Sequence, residues 1–301
     1  MVSQERVGQV REVDYPFESK YMEVDGGHRL HYVDEGEGAP VVMVHGNPSW
    51  SFYYRNLLKR LRKRRRALAV DHIGCGWSSR PALDEYSYEL ERRVADFGAF
   101  MDEVVGEEKV SLVMHDWGGM IGMAWAVRHP RRVERLVLLN TAAFHLPESK
   151  RLPWTLRLVR NTGLGAGLVK HFNAFSRGAT RFCVTGGMEE AVKKGYLAPY
   201  EGPSERRLAT LKFVQTIPLE PGDAGYELVS ETESRLGDLG DKPIFIGWGH
   251  KDFVFDRHFL ARWKEIYPQA RYEEFADGGH YILEDRGEEL GRSIESFLCD
   301  E

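Results

Sequence analysis

The 301-residue sequence predicts an α/β fold with a mostly parallel, doubly wound sheet and an inserted helical cap. Short apolar runs bounded by turn residues alternate with amphipathic segments of helical length, which is the pattern of parallel strands joined by crossover helices. The alternation stops over residues 145–240, where aromatic residues and helical periodicity continue without a good buried strand. We therefore predict a core domain formed by residues 1–144 and 241–301, and a helical cap at 145–240.

The individual elements follow from the same pattern. Apolar runs predict buried parallel strands at 41–44, 67–70, 110–114, 136–139 and 244–246, and a further strand at 271–275. Amphipathic spacing predicts helices at 89–105, 118–128, 256–267 and 284–298. Two earlier segments, 21–24 and 29–33, flank Asp25-Gly26-Gly27, whose turn chemistry predicts a hairpin at an antiparallel edge of the sheet.

The charge of the chain points to a small, uncharged substrate. A formal net charge of -5 gives no general attraction to nucleic acid or to an anionic membrane surface. The basic segment 59–66 reads KRLRKRRR, but no aromatic residue interleaves with it, so we interpret it as the solvated end of a helix. The polar segment 1–20 lacks the apolar core of a signal peptide, and no later stretch approaches the length of a membrane span.

The three cysteines, Cys75, Cys183 and Cys299, are widely spaced. They match neither a disulfide framework nor a paired metal-binding pattern. We therefore expect a cytoplasmic protein that uses no metal and no cofactor.

The strongest chemical signal is the segment Val113-Met114-His115-Asp116-Trp117-Gly118-Gly119. An apolar strand runs here into a turn and then a helix, which is the context of a nucleophile elbow in the α/β-hydrolase fold. Asp116 takes the place of the nucleophile, beside helix amides that favour negative charge. Met114 lies two positions before Asp116, where this pattern usually has a small residue. Gly118 and Gly119, after Asp116, match the pattern. The alternative is that Asp116 only caps the following helix.

Three further loops follow predicted strands and carry polar residues: His45-Gly46-Asn47-Pro48, Gly249-His250-Lys251-Asp252 and Asp277-Gly278-Gly279-His280. The first is placed to offer a backbone N–H to an oxyanion. Each loop alone could be an ordinary turn. Together they put nucleophile, acid and base at successive strand ends, in the chain order of the α/β-hydrolase fold. This order predicts Asp116 as nucleophile, Asp252 as acid and His280 as base.

The predicted roles have a chemical logic. A carboxylate that attacks an alkyl carbon forms an ester, and hydrolysis of that ester requires a water molecule activated by a base. His280 oriented by Asp252 can supply the base. Asn140 makes the acid position one strand earlier neutral, and Asp256 is a weaker candidate for the acid.

A halide or carboxylate leaving group needs N–H donors in a dry pocket. The Asn47 amide and the Trp117 indole N–H are suitable donors beside the nucleophile.

Over nearly the whole chain, HGNPSW, HDWGG and the terminal GGHYILED resemble the haloalkane dehalogenases. This resemblance implies that Asn47 and Trp117 hold a halide, and that Asp116, Asp252 and His280 form a catalytic triad.

A narrower resemblance lies in the cap and at its borders. HDWGGMIG, NTAAFHLP, FNAFSRGA, APY, IPL and FDRHFL are similar to segments of the β-lactone decarboxylases of bacterial long-chain olefin synthesis. Those enzymes share the dehalogenase constellation but convert a dialkyl β-lactone to an alkene and carbon dioxide. Cap residues usually select the substrate. We therefore expect decarboxylation of cis-3,4-dialkyl β-lactones, with haloalkane hydrolysis as the alternative and other olefin-pathway enzymes as candidate partners.

Other functions stay open at this point. An epoxide hydrolase would use cap tyrosines such as Tyr196 and Tyr200 to protonate the epoxide oxygen, although Asn47 argues against it. A non-catalytic binding protein of the same fold would lose part of the triad, and nothing is lost here. The absence of a serine at the elbow disfavours a carboxylesterase.

The cap contains seven aromatic residues that could line an apolar tunnel for alkyl chains: Trp154, Phe172, Phe175, Phe182, Tyr196, Tyr200 and Phe213. We expect most of them to form the core of the cap instead, because buried aromatics stabilise a small helical layer.

Overall fold

The computed structural model describes residues 14–300, which form one eight-stranded sheet with helices on both faces. The first thirteen residues of the predicted core segment 1–144, and residue 301, lie outside the described residues. The strands are β1 Lys20–Val24, β2 His28–Glu35, β3 Pro40–Val44, β4 Arg66–Val70, β5 Val110–Asp116, β6 Val133–Thr141, β7 Ile244–Gly249 and β8 Arg271–Phe275.

The sheet order is β1-β2-β4-β3-β5-β6-β7-β8. β2 pairs antiparallel with both β1 and β4, and all other neighbours are parallel. The predicted hairpin is confirmed, and the Gly27 N–H donates to the Val24 carbonyl at 3.0 Å. The predicted α/β-hydrolase fold is therefore confirmed, with an antiparallel edge on a parallel sheet.

The central strands carry apolar side chains on both faces, and helices cover both faces of the sheet. In β3, Val42 and Val44 join the apolar cluster on one side of the sheet, whereas Val41 and Met43 join the cluster on the other side. All four side chains are fully buried. Parallel strands with two covered faces read as continuous hydrophobic runs, which is the pattern that predicted them.

Six helices belong to the core. They are α1 Arg55–Leu61, α2 Leu90–Phe100, α3 Trp117–Ala126, α10 Arg257–Ile266, α11 Ile282–Asp285 and α12 Gly287–Cys299. α1 and α12 pack on one face of the sheet, and α2, α3 and α10 pack on the other. The predicted helix 89–105 is α2 followed by one π-helical turn, Met101–Val105.

Residues 145–240 contain only helices, turns and loops. The helices are α4 Trp154–Asn161, α5 Gly163–Phe172, α6 Ala174–Phe182, α7 Glu190–Leu197, α8 Leu208–Gln215 and α9 Tyr226–Ser234. α4, α5 and α8 share a small apolar cluster of their own. α9 instead packs against α3, and its Leu228 and Val229 join the core cluster. We therefore propose that the cap ends before α9, earlier than the predicted boundary at 240.

The basic segment 59–66 is neutralised by neighbouring acids. Six of its cations form ion pairs with carboxylates: Lys59, Arg60, Arg62, Arg64, Arg65 and Arg66. This pairing supports its interpretation as an ordinary solvated face. All three cysteines are free thiols. Within residues 14–300, no helix combines the length and the apolar character needed to cross a membrane.

Candidate active site

The segment around Asp116 forms a tight turn between β5 and α3. Asp116 has a φ of 52°, in the left-handed region that non-glycine residues rarely occupy. The turn brings α3 against β3 so closely that a Cβ on Gly118 would lie 1.9 Å from the Val44 carbonyl oxygen. The Asp116 carboxylate makes no capping hydrogen bond to α3. The capping alternative therefore does not explain this residue, whereas a nucleophile elbow does.

The departure at Met114 is compensated by a glycine in the following helix. A Cβ on Gly122 would lie 2.5 Å from the Met114 sulfur. The elbow needs one small residue at this contact. That residue is Gly122 of α3, and it lies opposite the larger Met114 of β5.

The Asp116 carboxylate is buried and held by backbone donors. Its Oδ1 accepts a hydrogen bond from the Asn47 N–H at 2.6 Å. Burial raises the pKa of Asp116, and the nearby His280 and the backbone N–H groups of Asn47 and Trp117 offset only part of this effect. The loop after β3 therefore directs the Asn47 backbone N–H at the Asp116 carboxylate. Its predicted role toward an oxyanion stays a prediction.

His280 connects the nucleophile to Asp252. Its Nδ1 lies 2.7 Å from Asp252 Oδ2, and its Nε2 lies 3.6 Å from Asp116 Oδ2. Burial lowers the pKa of His280, but the carboxylates of Asp252 and Asp116 outweigh it and the net pKa is raised. Because Nδ1 faces an acceptor, it carries a proton and Nε2 is the atom turned toward the reaction.

Asp252 is fixed on both of its oxygens. Oδ1 accepts from the backbone N–H groups of Val254 at 2.7 Å and Phe255 at 3.0 Å. Oδ2 accepts from Asn140 Nδ2 at 3.0 Å in addition to His280. This carboxylate is therefore held in one orientation before any ligand binds.

Asn140 is a functional residue whose role the sequence pattern does not reveal. It lies inside β6, with a φ of 35°, and its Oδ1 accepts from the Gly249 N–H at 2.8 Å. The sequence shows a neutral residue at an acid position, and the structure shows that this residue donates to the acid on the next strand. The sequence feature that could have indicated this role is a polar residue at the end of a buried strand.

His115 is a second such residue. Its Nε2 lies 2.8 Å from the His280 carbonyl oxygen, so it donates to the backbone of the histidine. Its imidazole is fully buried and its ring centroid lies 4.6 Å from that of His280. It thus helps to hold the position of His280 from the side opposite the cavity.

Asp256, the weaker candidate for the acid, lies outside this constellation. Its Oδ1 accepts from the His258 N–H at 3.0 Å and caps α10, and its Oδ2 pairs with Lys150 at 2.6 Å. The structure thus gives Asp256 a helix-capping role.

Asn47 and Trp117 both border the cavity above Asp116. Asn47 Nδ2 donates to the Thr210 carbonyl oxygen at 3.1 Å, which uses one of its two hydrogens and orients the amide. The Trp117 ring packs on Phe213 at a centroid distance of 5.3 Å. Its indole N–H makes no hydrogen bond to residues 14–300. Two N–H donors are therefore available beside the nucleophile.

The cavity has a volume of about 870 Å³ and is almost wholly apolar. Asn47, Asp116, Trp117 and His280 lie at its base. Its walls include Phe144, Leu152, Leu156, Val159, Phe175, Val214, Ile217, Val254 and Phe259. Of the described residues that line it, Asp116 is the only aspartate, glutamate, lysine or arginine. Such a cavity suits a ligand with long alkyl groups and one reactive polar centre.

The seven cap aromatics divide between cavity and core. Trp154, Phe175 and Phe182 line the cavity. Tyr196 and Tyr200 are buried in the apolar cluster on one face of the sheet and Phe213 in the cluster on the other, whereas Phe172 is exposed on the surface. The expectation that most of the seven form the core of the cap is therefore wrong: among the described residues, the cap's own apolar cluster includes Phe175 alone of the seven.

The tyrosines that an epoxide hydrolase would need face elsewhere. The Tyr196 hydroxyl donates to Glu284 at 2.5 Å, and the Tyr200 hydroxyl donates to the Ser49 carbonyl oxygen at 3.1 Å. Neither residue lines the cavity. The geometry thus disfavours the epoxide hydrolase alternative. Among the described residues, no three histidine, cysteine or acidic side chains are grouped to hold a metal ion.

Comparison with known proteins agrees with this geometry. Residues 39–287 match the family described as alpha/beta hydrolase fold. A cis-3-alkyl-4-alkyloxetan-2-one decarboxylase of Shewanella oneidensis is 49% identical, over 95% of this chain and 89% of its own. A decarboxylase of the same name from Xanthomonas campestris is 42% identical, over 94% of this chain and 97% of its own.

Haloalkane dehalogenases are more distant in sequence. One from Mycobacterium bovis is 30% identical, over 93% of this chain and 94% of its own. A crystal structure of a haloalkane dehalogenase variant from Agrobacterium tumefaciens superposes with a TM-score of 0.83 at 25% identity, covering 96% of this chain and 99% of that one. This chain thus shares its architecture with haloalkane dehalogenases, whereas its higher sequence identity is to the decarboxylases.

Proposed function

This chain belongs to the α/β hydrolase fold family, and from that membership we propose that it decarboxylates cis-3,4-dialkyl β-lactones to alkenes and carbon dioxide. The observation that carries the proposal is one buried carboxylate, Asp116, at the base of a large apolar cavity. The cavity can hold two alkyl groups, and the carboxylate faces the single reactive centre between them. Identities of 49% and 42% to the decarboxylases, against 30% to a dehalogenase, support the lactone as substrate.

The reaction needs two steps at Asp116. In the first, Asp116 attacks ring carbon C4, the bond from C4 to the ring oxygen breaks, and the oxygen leaves as a carboxylate. In the second, this carboxylate leaves as carbon dioxide, and the electron pair of the broken carbon–carbon bond forms the C3–C4 double bond while the ester bond to Asp116 breaks. Asp116 is regenerated, and neither water nor a proton is consumed.

The polar groups at the base of the cavity have distinct roles in this scheme. Asn47 Nδ2 and the Trp117 indole N–H donate to the departing carboxylate in a site from which water is excluded. Asp252 and Asp116 raise the pKa of His280, which favours the protonated imidazole, and in that form His280 balances the charge of the carboxylate. Asp252 stabilises the imidazolium and orients its ring.

The stereochemistry follows from the same two steps. Attack by Asp116 inverts C4. Loss of carbon dioxide then proceeds with the two breaking bonds antiperiplanar. Inversion followed by anti elimination is equivalent to removing carbon dioxide from one face of the ring. A cis-lactone therefore gives a cis-alkene.

Haloalkane hydrolysis is the second candidate, and the pair of donors Asn47 and Trp117 is what favours it. It uses the same attack by Asp116 on an alkyl carbon, but the ester must then be released by water. His280 would have to be neutral at that stage to activate the water.

The two candidates are separated by a direct comparison of substrates. The wild-type protein is incubated with a long-chain cis-β-lactone and, separately, with 1-bromobutane, and alkene and bromide are measured under the same conditions. We expect alkene formation, with little bromide released. Rapid bromide release without alkene would make the protein a dehalogenase. The cytoplasmic location and the association with other olefin-pathway enzymes stay predictions from the sequence.

A further inference from the structure

The cavity opens on a surface of the cap that exposes large hydrophobic side chains. Of the eight such side chains exposed among residues 14–300, six lie in or beside this opening. We call them the rim: Trp154, Leu164, Leu168, Phe172, Phe182 and Phe253. Four of the six, Trp154, Leu168, Phe182 and Phe253, also line the cavity.

The rim extends along one face of α5. Leu164, Leu168 and Phe172 follow one another at intervals of four residues, so they lie on the same side of the helix. They are 69%, 37% and 68% exposed. Because Leu168 borders the cavity, this apolar face is continuous with the opening. A contiguous apolar surface of this kind marks an interaction site rather than scattered surface hydrophobics.

The same part of the cap is strongly basic. Between Glu148 and Glu189 the sequence contains no acid and seven basic residues: Lys150, Arg151, Arg157, Arg160, Lys170, Arg177 and Arg181. Lys150 pairs with Asp256 at 2.6 Å and Arg160 pairs with Asp223 at 2.8 Å. Lys170 is half-buried and lies near Glu205.

Four of these cations are left without an ionic partner. Arg151, Arg157, Arg177 and Arg181 are exposed and form no ion pair with any residue of the described range 14–300. Arg181 lies on the rim itself, since its guanidinium carbon is 5.6 Å from the centroid of the Phe182 ring. Arg177 precedes it by one helical turn.

The basic segment 59–66 provides the contrast. Its cations are paired with acids from other elements, and only Lys63 is exposed without a salt bridge in the part of the chain that the structure describes. The net charge of -5 therefore hides an uneven distribution. Among the described residues, most cations of segment 59–66 are paired with acids, whereas four arginines in the part of the cap that borders the cavity have no ionic partner.

We propose that the rim docks on an anionic lipid surface and that the substrate enters the cavity from the lipid phase. Exposed Trp, Phe and Leu side chains insert at the boundary between headgroups and acyl chains, and the neighbouring arginines face the phosphates. The identity of the substrate in this inference rests on the proposed function. A dialkyl lactone and its alkene product both partition into lipid. A lipid surface matches both observations at once: the unpaired cations and the continuity of the rim with an apolar cavity.

Vesicle flotation tests this docking. The full chain is mixed with phosphatidylcholine vesicles, and with vesicles in which phosphatidylglycerol replaces part of that lipid. Arg177→Gln/Arg181→Gln should weaken binding to the anionic vesicles about 30-fold, since each cation near such a surface contributes about fivefold. Leu164→Ser/Phe172→Ser should weaken binding to both kinds of vesicle. Lys63→Gln and Leu83→Ser, an exposed cation and an exposed leucine away from the rim, are the matched controls and should bind as wild type does.

Activity assays separate failure of the docking from failure of the proposed function. Leu164 and Phe172 do not line the cavity, so their variant should convert detergent-dispersed lactone at the wild-type rate and vesicle-embedded lactone at least several-fold more slowly. Absence of vesicle binding by wild type, or equal binding by rim and control variants, would overturn the docking. So would a wild-type dimer that the Leu164/Phe172 variant abolishes without any vesicle binding. Vesicle binding by wild type without alkene from either preparation would leave the docking intact and refute the lactone function.

Discussion

Asn140 Nδ2 donates to Asp252 Oδ2 at 3.0 Å, and the same carboxylate oxygen lies 2.7 Å from His280 Nδ1. An amide on β6 therefore orients the acid on the loop after β7, which orients the histidine on the loop after β8. The residues at the carboxyl-terminal ends of β6, β7 and β8 therefore act as one unit. The consequences of this arrangement can be measured one residue at a time.

Replacing Asn140 by leucine should impair turnover without unfolding the protein. The change removes the donor to the buried Asp252 carboxylate, a loss of about 1.5–3 kcal/mol, so we expect kcat/KM to fall about 10- to 150-fold. It also removes two hydrogen bonds between the Asn140 amide and the Gly249 backbone, so circular dichroism should confirm that the variant is folded. Asn161→Leu, at the exposed end of α4, is the control and should retain full activity. A wild-type kcat/KM in Asn140→Leu would show that Asp252 needs no support from β6.

His280→Gln should separate the two candidate reactions. With 1-bromobutane, Asp116 can still attack but water cannot be activated, so intact-mass spectrometry should show a butyl adduct. With a β-lactone, carbon dioxide loss releases Asp116 without water, so alkene should still form, more slowly, and no adduct should accumulate. An adduct that accumulates with the lactone would show that loss of carbon dioxide requires His280. No adduct with a haloalkane from which wild type releases bromide would contradict attack by Asp116 on an alkyl carbon.

The pH dependence of the two reactions should differ for the same reason. Ester hydrolysis needs a neutral His280 imidazole. The carboxylates of Asp252 and Asp116 raise the pKa of His280 in the free enzyme, and Asp252 still does so after Asp116 is esterified, so the neutral form appears only as the pH rises through this raised pKa. Any bromide release should therefore increase with pH over this range, whereas alkene formation should not require it.

The donor pair is tested by Asn47→Ala and Trp117→Phe. Each variant removes one N–H donor aimed at the leaving carboxylate, which should cost about 2–4 kcal/mol of transition-state stabilisation, or roughly 30- to 1000-fold in alkene formation. Asn161→Ala controls for the loss of an amide elsewhere. Full lactone activity in both donor variants would exclude this role for the pair.

Much of this site could be predicted because its residues sit at strand ends. Asp116 lies at the end of an apolar strand, Asp252 follows a second one and His280 follows a further predicted strand, and parallel strands bring their carboxyl ends to one edge. Asn140 was harder to interpret, because its donation to Asp252 depends on β6 lying beside β7, and the strand order is not visible in the pattern.

The cap was predicted less completely. Helical periodicity marks residues that avoid water, but it cannot distinguish a side chain that faces a cavity from one that faces the core. Phe175 lines the cavity and Phe213 is buried beside Trp117, although both were equally apolar candidates. Periodicity also includes α9 in the predicted cap, and its packing on α3 supports our proposal that the cap ends before it.

Asp71 provides a test of the fold behind the site. It is fully buried and accepts from His31 Nδ1 at 2.7 Å and from the Ser51 N–H at 2.7 Å, so it anchors the segment that follows the loop of Asn47. Burial raises the pKa of Asp71, but His31 and the other donors outweigh it and hold the pKa well below its ordinary value. Asp71→Asn should lower the free energy of unfolding by about 3–5 kcal/mol at neutral pH.

The sign of the pH dependence follows from that lowered pKa. A carboxyl that is more acidic in the folded state stabilises the protein above its unfolded pKa of about 3.9, and this contribution is lost as the pH falls toward the folded value. The free energy of unfolding, measured in urea, should therefore differ less between wild type and Asp71→Asn below about pH 4 than at neutral pH. Asp84→Asn, an exposed acid, is the control. A difference that is absent at neutral pH would contradict the anchoring role.

Turnover of a long-chain cis-β-lactone by wild type and Asp116→Ala bears most directly on the proposed chemistry. Wild type should produce cis-alkene and carbon dioxide in equal amounts. The folded Asp116→Ala protein should produce neither, because no other carboxylate among the described residues lines the cavity. Asp256→Ala, which removes a carboxylate that caps α10, should stay active. Alkene formation by Asp116→Ala at a substantial fraction of the wild-type rate would contradict Asp116 as the nucleophile.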